Sequence, residues 1–392
     1  MIEDRLLRLK EALDANNIDA VISTHTPDIR WITGFTGVFD GEQAHCALIF
    51  RETITKSACL FTDTRYSEAL RQQNTQRYWR ILDERRRRFS YLAAVFAELF
   101  GVETGAGMST GTGAQIDADL QHVVIGIESN LRLDWYRALV QALDELDAFT
   151  YELKELPSFI QNLRARKTTG EIELIRQAQA ITDAAFTHIL NFIKPGLTER
   201  EVATELEFFM RRAGADGMAF PVIVASGPNS AVPHAVPSGR VLQHGDFVLM
   251  DFGARLNDYC SDMTRTVFLG EADEQQQQMY TAVLATIETL TTAYQPGTES
   301  SGLQKMAEAK LAELGFAGKL IHSVGHGVGL EVHESPQVSA TAADKLEVGH
   351  VLTIEPGVYL EGFGGVRIEN FGYITEDGFK DFTSSTKELL VL

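Results

Sequence analysis

Two pairs of acidic residues in the last 150 positions are the strongest chemical signal in the chain. Asp251 and Asp262 lie in DFGARLNDYCSDMTRT, and Glu355 and Glu369 lie in TIEPGVYLEGFGGVRIEN. Both stretches are typical of β-hairpins, because β-prone runs flank residues that favour turns. Four carboxylates joined by an imidazole suit Mn²⁺, with Fe²⁺, Co²⁺ and Zn²⁺ as alternatives. Two such ions about 3.5–4 Å apart would activate a water molecule for hydrolysis.

The segment between the two acid pairs, HSVGHGVGLEVHE, supplies imidazoles. It contains His322, His326 and His333. The glycines around His326 disfavour a helix, and the segment has no HExxH zinc motif. We therefore expect a glycine-rich strand or loop that lets the backbone approach a metal, with His326 as the ligand.

The spacing within each pair predicts that its two acids face each other. If the first turn centres between Leu256 and Asn257, cross-strand partners sum to 513, and 251 + 262 = 513. The second pair gives 355 + 369 = 724, which centres the turn on Gly362. Facing carboxylates destabilise a hairpin unless a cation lies between them. The predicted pairing of acids across each hairpin therefore supports a shared metal site.

The C-terminal part of the chain contains a faint internal duplication. The Pro-Gly pairs at Pro195 and Pro296 are 101 residues apart, the acids repeat at 355 − 251 = 104 and 369 − 262 = 107, and His333 follows His234 by 99. We expect two similar halves, each a pair of helices followed by antiparallel strands, related by a pseudo-twofold axis. Each half would contribute one acid pair and one histidine.

A domain boundary is expected near Leu156-Pro157, which divides the chain into residues 1–157 and 158–392. Strand patterns at 20–22, 47–50, 57–61 and 122–127 alternate with helical patterns, so the first domain is expected to be α/β. Within it, Arg85–Arg88 is predicted to be a solvated helix face and Gly101–Gly113 a loop. In the second domain, Thr168 with Glu171 and Thr198 with Glu201 predict two capping boxes at helix starts.

Composition excludes several classes of protein. The formal net charge of −19 argues against a general nucleic-acid binder. The three cysteines, Cys46, Cys59 and Cys260, form neither a disulfide framework nor a CxxC site. Charges interrupt the apolar runs of the N-terminal MIEDRLLRLKEAL, and no window approaches the roughly 18 apolar residues of a membrane span. We expect a cytoplasmic protein with neither a signal peptide nor a membrane segment.

The C-terminal part resembles the pita-bread metallopeptidases, which include Xaa-Pro aminopeptidase, Xaa-Pro dipeptidase (prolidase) and methionine aminopeptidase. The stretches that match are IVASGPNSAVPHAVPS, DFGARLNDYCSDMTRT, HSVGHGVGLEVHESP, TIEPGVY and GVRIEN. The first domain resembles the creatinase/prolidase N-terminal domain in WITGFTG and LFTDTRYSEAL. The resemblance implies an α/β N-terminal domain and an α+β pita-bread catalytic domain. It also implies two divalent metal ions with five ligands: Asp251, Asp262, His326, Glu355 and Glu369.

The resemblance further implies roles around the metals. Glu355 would act as general base and then general acid. His333 would hydrogen-bond the carbonyl oxygen of the substrate, and His234 would contact the substrate near the scissile nitrogen. Arg367 is expected either to contact the substrate or to be the structural partner of a ligand carboxylate. Tyr359 and His322 are expected to contact the substrate or to line the site.

The activity that the resemblance implies is hydrolysis of the Xaa-Pro bond at the N-terminus of short proline-containing peptides, and we favour an Xaa-Pro aminopeptidase. The alternatives are an Xaa-Pro dipeptidase, which needs a cationic clamp for the free proline carboxylate, and a non-peptidase C–N hydrolase on the same fold. Retention of all five ligands argues against a non-catalytic relative. A homodimer is expected, with Trp31 and Phe35 as candidates for contact with the partner subunit's site.

Overall fold

The structure, a computed structural model, describes residues 2–40, 44–51, 58–74, 78–83, 122–146 and 150–392. The segments Arg85–Arg88 and Gly101–Gly113, for which a helix face and a loop were predicted, lie outside these ranges. The chain divides into two compact units, residues 1–163 and 164–392. The boundary expected at residue 157 stays a prediction. Within the described ranges, none of the helices combines the length and the hydropathy that a membrane span needs.

The first unit contains a six-stranded mixed sheet in the order β4-β3-β2-β1-β5-β6. Its strands are β1 (Ala20–Ser23), β2 (Cys46–Phe50), β3 (Ala58–Thr62), β4 (Trp79–Asp83), β5 (His122–Ile127) and β6 (Thr150–Glu155). Its described helices are α1 (Ile2–Ala15), α2 (Thr26–Thr33), α3 (Thr64–Gln73) and α4 (Leu133–Asp144), and α5 (Phe159–Ala165) spans the division between the units. β1 to β3 are buried throughout, which explains their continuous apolar sequences. The α/β expectation for this part of the chain is confirmed.

Trp31 and Phe35 belong to the interior of the first unit. Their exposed fractions are 1% and 4%, and Arg5 and Arg8 both lie over the Trp31 ring. The expectation that these two side chains contact a partner subunit is therefore wrong. Trp31 lies in α2, whose apolar positions face the core.

The second unit has two halves that repeat one element order. Its helices are α6 (Thr169–Ile189), α7 (Glu199–Arg212), α8 (Glu274–Ala293) and α9 (Ser300–Glu313). After the first helix pair come β7 (Gly217–Met218), β8 (Ile223–Ser226), β9 (Phe247–Phe252), β10 (Ala254–Leu256), β11 (Tyr259–Cys260) and β12 (Met263–Phe268). After the second come β13 (Gly325–Gly327), β14 (Glu334–Val338), β15 (Val351–Ile354), β16 (Gly357–Leu360), β17 (Gly364–Arg367), β18 (Asn370–Thr375) and β19 (Gly378–Asp381). The predicted duplication of helix pairs and strands is confirmed.

Both predicted capping boxes are present. Thr168 and Glu171 bond reciprocally at the start of α6, and Thr198 and Glu201 do so at the start of α7. In each box the hydroxyl and the carboxylate satisfy backbone N–H groups that the first turn of a helix leaves without partners. These boxes fix where the helices of the first half begin.

The register predicted for the first hairpin is wrong by two. Partners in β9 and β12 sum to 515, so Asp251 pairs with Thr264 rather than with Asp262. The turn lies at Asn257 and Asp258, whose φ angles of 49° and 68° are both left-handed. Asparagine and aspartate adopt this conformation more readily than other residues with a Cβ, and two-residue hairpin turns use it.

The register predicted for the second hairpin is confirmed. Ile354 pairs with Asn370, and Gly357 pairs with Arg367, so both ladders sum to 724. Glu355 and Glu369 fall between these two ladders at opposite positions. A hydrogen bond joins the two halves: the hydroxyl of Thr266 in β12 donates to the carbonyl oxygen of Arg367 at 3.0 Å.

Candidate metal centre

A cavity of about 600 Å³ in the second unit collects nine of the ten site residues predicted from the sequence. The nine that line it are Asp251, Asp262, His326, Glu355, Glu369, His333, His234, Arg367 and His322. Tyr359 is not part of the lining. Both halves of the unit contribute to the cavity, as the duplication predicts.

Three of the predicted ligands form a compact buried cluster. Ligand atoms of Asp262, His326 and Glu369 all lie within 4.8 Å of one another. Glu355 completes the arrangement, since its Oε1 lies 3.3 Å from His326 Nε2. Carboxylate oxygens of Asp262, Glu355 and Glu369 therefore lie near His326 Nε2, close enough for one bound cation to contact them all.

The strand that carries His326 orients its ring so that Nε2 faces the acids. Its Nδ1 lies 3.1 Å from the carbonyl oxygen of Gly327, which can only accept, so Nδ1 carries the proton. Nε2 is then the lone-pair atom, and it faces Asp262 and Glu355. The strand is tightly enclosed, because a Cβ on Gly327 would lie 2.3 Å from the carbonyl oxygen of Ser335. The predicted glycine-rich strand is confirmed.

Threonines from the two halves hold the glutamates. Thr264 donates to Glu369 Oε2 at 2.7 Å, and Thr353 donates to Glu355 Oε1 at 3.3 Å. The other oxygen of Glu369 and the Oδ1 atom of Asp251 are buried, and neither has a hydrogen-bond partner among the described residues. Buried carboxylate oxygens without partners are costly, and bound divalent cations would satisfy them.

The electrostatics of the cluster also fit a cation. Burial, together with repulsion from Glu369 and Asp251, raises the pKa of Asp262 well above its ordinary range. Burial, together with repulsion from Glu355 and Asp251, does the same to the pKa of Glu369, and burial raises the pKa of Glu355 to about 8. Burial lowers the pKa of His326 to about 3, so the ring is neutral, as coordination requires. The donor set is one that divalent metal ions bind.

Arg367 pairs with Asp251, one of the predicted ligands. Its guanidinium donates to Asp251 Oδ2 at 2.6 Å, to the Tyr359 hydroxyl at 2.7 Å and, through Nε, to Thr264 at 2.9 Å. Burial opposes its charge, but Tyr359 and Asp251 raise its pKa well above the ordinary value. Arg367 therefore stays charged, and its positive charge offsets part of the negative charge of the acid cluster.

Replacing Arg367 with methionine is expected to lower the unfolding free energy of the metal-free protein by about 3–5 kcal/mol, since it leaves Asp251, whose side chain is 14% exposed, without its ion-pair partner. Urea unfolding followed by far-UV circular dichroism measures this. Arg367→Lys keeps the charge and loses the fork geometry, so its loss is expected to be smaller. Equal stability of Arg367→Met and the wild type would contradict the assigned role.

Tyr359 and His322 form a second layer. Tyr359 is 5% exposed and accepts from Arg367, so its hydroxyl proton points to His322 Nε2 at 2.9 Å. Burial, with Arg367 nearby, lowers the pKa of His322 to about 4. Tyr359 lies behind Arg367 and does not line the cavity, whereas His322 does. A role for either residue in binding the substrate stays a prediction.

His234 and His333 reach the cavity from segments that follow the first and second helix pairs. The His326 and His333 rings are 4.2 Å apart. His234 lies in a loop that Glu199 closes at both ends, accepting from Ser226 Oγ at 2.8 Å and from Ser238 Oγ at 2.6 Å. Glu199 is 1% exposed. Sequence reasoning missed this anchor, because an acid in the first turn of a helix is also common at surfaces.

An apolar wall on one side of the cavity was also missed. Residues 220–223 (Phe-Pro-Val-Ile) line it together with Pro233, Ala235, Val236 and Pro237. Val236 is 83% exposed and so lies at the mouth. A pocket with acids at one end and prolines and aliphatic side chains at the other can bind a molecule that combines a polar backbone with a compact apolar side chain.

Both units match known protein families. Residues 173–376 match metallopeptidase family M24, and residues 5–165 match the creatinase/prolidase N-terminal domain. The Xaa-Pro dipeptidase of Pyrococcus horikoshii is 33% identical over 391 residues, which cover 100% of this chain and 99% of that protein.

Solved structures are similar over the same extent. The Xaa-Pro dipeptidase from Bacillus anthracis is 34% identical with a TM-score of 0.85, and the match covers 100% of both chains. The X-Pro aminopeptidase from Thermotoga maritima is 29% identical with a TM-score of 0.78, and the match covers 96% of this chain and 98% of that one. The similarity therefore extends to enzymes named for two different cleavage specificities.

Proposed function

The chain belongs to metallopeptidase family M24 and is a hydrolase, and from this premise we propose that it is an Xaa-Pro aminopeptidase. It would remove the first residue from short peptides whose second residue is proline. Support for proline comes from the names of its relatives and from the apolar wall of the cavity. The five predicted ligands and their converging oxygens support a pair of divalent metal ions.

The hydrogen bonds that already engage Arg367 favour an aminopeptidase over a dipeptidase. A dipeptidase must bind the free carboxylate of proline, for which a cation is the natural partner. Among the described residues that line the cavity, Arg367 is the one arginine or lysine, and Asp251, Tyr359 and Thr264 already engage it. An aminopeptidase has no such requirement, because the chain continues beyond proline.

Bound metal ions would polarise the scissile carbonyl and lower the pKa of a water molecule. Glu355 would take the proton of the attacking water and return it to the proline nitrogen. His333 would donate a hydrogen bond to the carbonyl oxygen as negative charge develops there. His234, on the opposite loop, would contact the substrate near the leaving nitrogen.

An Xaa-Pro dipeptidase is the second candidate. The full-length similarity to the dipeptidases of Pyrococcus horikoshii and Bacillus anthracis favours it. The choice of Mn²⁺, the cytoplasmic location, the homodimer and the boundary between residues 157 and 158 stay predictions, as do the roles of the individual site residues.

Four peptides distinguish these candidates when assayed with Mn²⁺-loaded protein: Ala-Pro, Ala-Pro-amide, Ala-Pro-Ala and Ala-Ala-Ala. We expect kcat/KM for the tripeptide and the amide to exceed that for Ala-Pro by about tenfold or more, since burying an unpaired carboxylate costs more than about 1.4 kcal/mol. We expect Ala-Ala-Ala to be a poor substrate. Cleavage of Ala-Pro alone would establish the dipeptidase, and no cleavage of any proline peptide would refute both candidates and favour a non-peptidase C–N hydrolase.

A further inference from the structure

A buried cluster of two bases and two acids, which we call the ion quartet, lies outside the metal centre. It consists of Arg164, Lys167, Glu331 and Glu334. Arg164 Nη2 lies 2.6 Å from Glu331 Oε2 and 3.0 Å from Glu334 Oε2, and Lys167 Nζ lies 2.6 Å from Glu334 Oε1. Both oxygens of Glu334 are therefore held by cations that come from the first residues of the second unit.

Three of the four side chains in the quartet are almost completely buried. The side chains of Arg164, Lys167 and Glu334 are 1%, 2% and 1% exposed, and that of Glu331 is 29% exposed. Charges buried to this degree lose their hydration, so they persist only with close partners, which the quartet supplies in equal number. None of the four residues lines the cavity, and none has a part in the chemistry proposed above.

The quartet holds the segment that leads to His333. Glu334 follows His333 directly and pairs with Gly327 where the register between β13 and β14 shifts. The backbone N–H of Glu331 also points to Glu334 Oε2, at 3.4 Å. A Cβ on Gly329 would lie 2.3 Å from Glu334 Oε1, so the loop folds closely around this carboxylate. Glu334 thus fixes the path of the chain between His326 and His333.

We propose that Glu334, held by Arg164 and Lys167, is a positioning residue for His333. The inference rests on the proposed function, in which His333 donates a hydrogen bond to the carbonyl oxygen of the substrate. His333 lies at the open side of the cavity, so neighbouring side chains enclose it less than they enclose His326. The backbone must therefore set its position, and the ion quartet anchors that backbone at the adjacent residue.

The first test is a double-mutant cycle with Glu334→Gln and His333→Ala, assayed on Ala-Pro-Ala with Mn²⁺-loaded protein. A displacement of a catalytic group by about 1 Å costs up to roughly 100-fold in rate. We expect Glu334→Gln to lower kcat by about 10- to 100-fold and to change KM by less than about twofold. If Glu334 acts through His333, Glu334→Gln has little further effect in the His333→Ala background. Additive effects would overturn the proposal.

Two further variants separate positioning from loss of stability. Glu334→Gln leaves one buried positive charge in excess, and Lys167→Met restores the balance in the double variant. We expect the double variant to regain the urea midpoint that Glu334→Gln loses, while kcat stays low because the grip on residue 334 is still absent. Recovery of kcat together with stability would overturn the proposal. Asp183→Asn is the matched control: this carboxylate is 8% exposed and accepts from Ser385 N at 2.9 Å, so stability should fall and kcat should not.

A readout that needs no activity separates failure of this inference from failure of the proposed function. In metal-free protein labelled with ¹³C-histidine, the imidazole signal that disappears in His333→Ala identifies His333. We expect this signal to shift in Glu334→Gln and to stay in place in Asp183→Asn, while the signal of His188 stays in place in both. An unmoved His333 signal in Glu334→Gln would overturn the proposal even if the wild type cleaved no Xaa-Pro peptide.

Discussion

Replacing Asp262 with asparagine is expected to remove metal binding and hydrolysis together. Asp262 belongs to the buried cluster with His326 and Glu369, and its carboxylate is the part of that cluster supplied by the first hairpin. An amide of the same shape carries no charge, so it fails to compensate a divalent cation. Loss of a residue that only orients a metal ligand costs about 10- to 100-fold in affinity or activity, and loss of a ligand is expected to cost more. We expect kcat/KM to fall by roughly 10³-fold or more.

Metal content measured by mass spectrometry after dialysis against MnCl₂ gives one half of this test, and hydrolysis of Ala-Pro-Ala gives the other. Asp216→Asn is the matched control, because Asp216 bonds the turn of the same hairpin through Asn257 N at 2.6 Å and lies outside the cavity. The control should keep both metal and activity. Full metal occupancy in Asp262→Asn would show that Asp262 is not a ligand.

The sequence predicts the chemical identity of the site better than its geometry. Residues such as Asp251, Glu369 and His326 carry groups whose type and spacing have few other uses, so they can be recognised without coordinates. The register of the first hairpin depended instead on which two residues take left-handed φ angles. Asn257 and Asp258 do so, which places the turn one residue later than the sequence predicts. The choice of which residues take left-handed φ angles depends on small differences in backbone energy. The pattern of apolar residues gives no information about these differences.

Residues that support the site were missed for a different reason. Thr264 and Thr353 hold glutamates, and Glu199 and Glu334 hold loops, but each is an ordinary residue type in an ordinary strand or helix. Only burial next to a specific partner gives them a role, and burial arises from tertiary packing. Trp31 shows the converse, because an aromatic residue that suggested an interface is a core residue.

The metal-free protein is expected to lose stability as the pH rises from 6.5 to 8. Burial raises the pKa of Glu355 from 4.5 to about 8, so the folded state binds more protons than the unfolded state above the unfolded pKa. Stability therefore falls as pH rises through this range. From pH 6.5 to 8 the change is 1.5 units, which corresponds to about 2 kcal/mol from Glu355 alone. Asp262 and Glu369, whose pKa values are also raised, act in the same direction.

Buried histidines act in the opposite direction at lower pH. Burial lowers the pKa of His322 to about 4 and that of His326 to about 3, from 6.5. The unfolded state then binds more protons below pH 6.5, so stability is lost as pH falls towards these values. The histidines and acids partly cancel below pH 6.5. Above it the buried acids remain, which makes the interval from pH 6.5 to 8 the diagnostic one.

Urea unfolding of EDTA-treated protein at several pH values measures this dependence. All three tryptophans, Trp31, Trp79 and Trp135, belong to the first unit, so far-UV circular dichroism must report on the second. Saturating Mn²⁺ should flatten the profile above pH 6.5, because a bound cation compensates the carboxylates and releases their protons. Glu355→Gln should remove about 2 kcal/mol of the decline in the metal-free protein. A flat profile in the EDTA-treated wild type would show that the acids are already compensated without a metal, and the case for a metal centre built on their repulsion would fail.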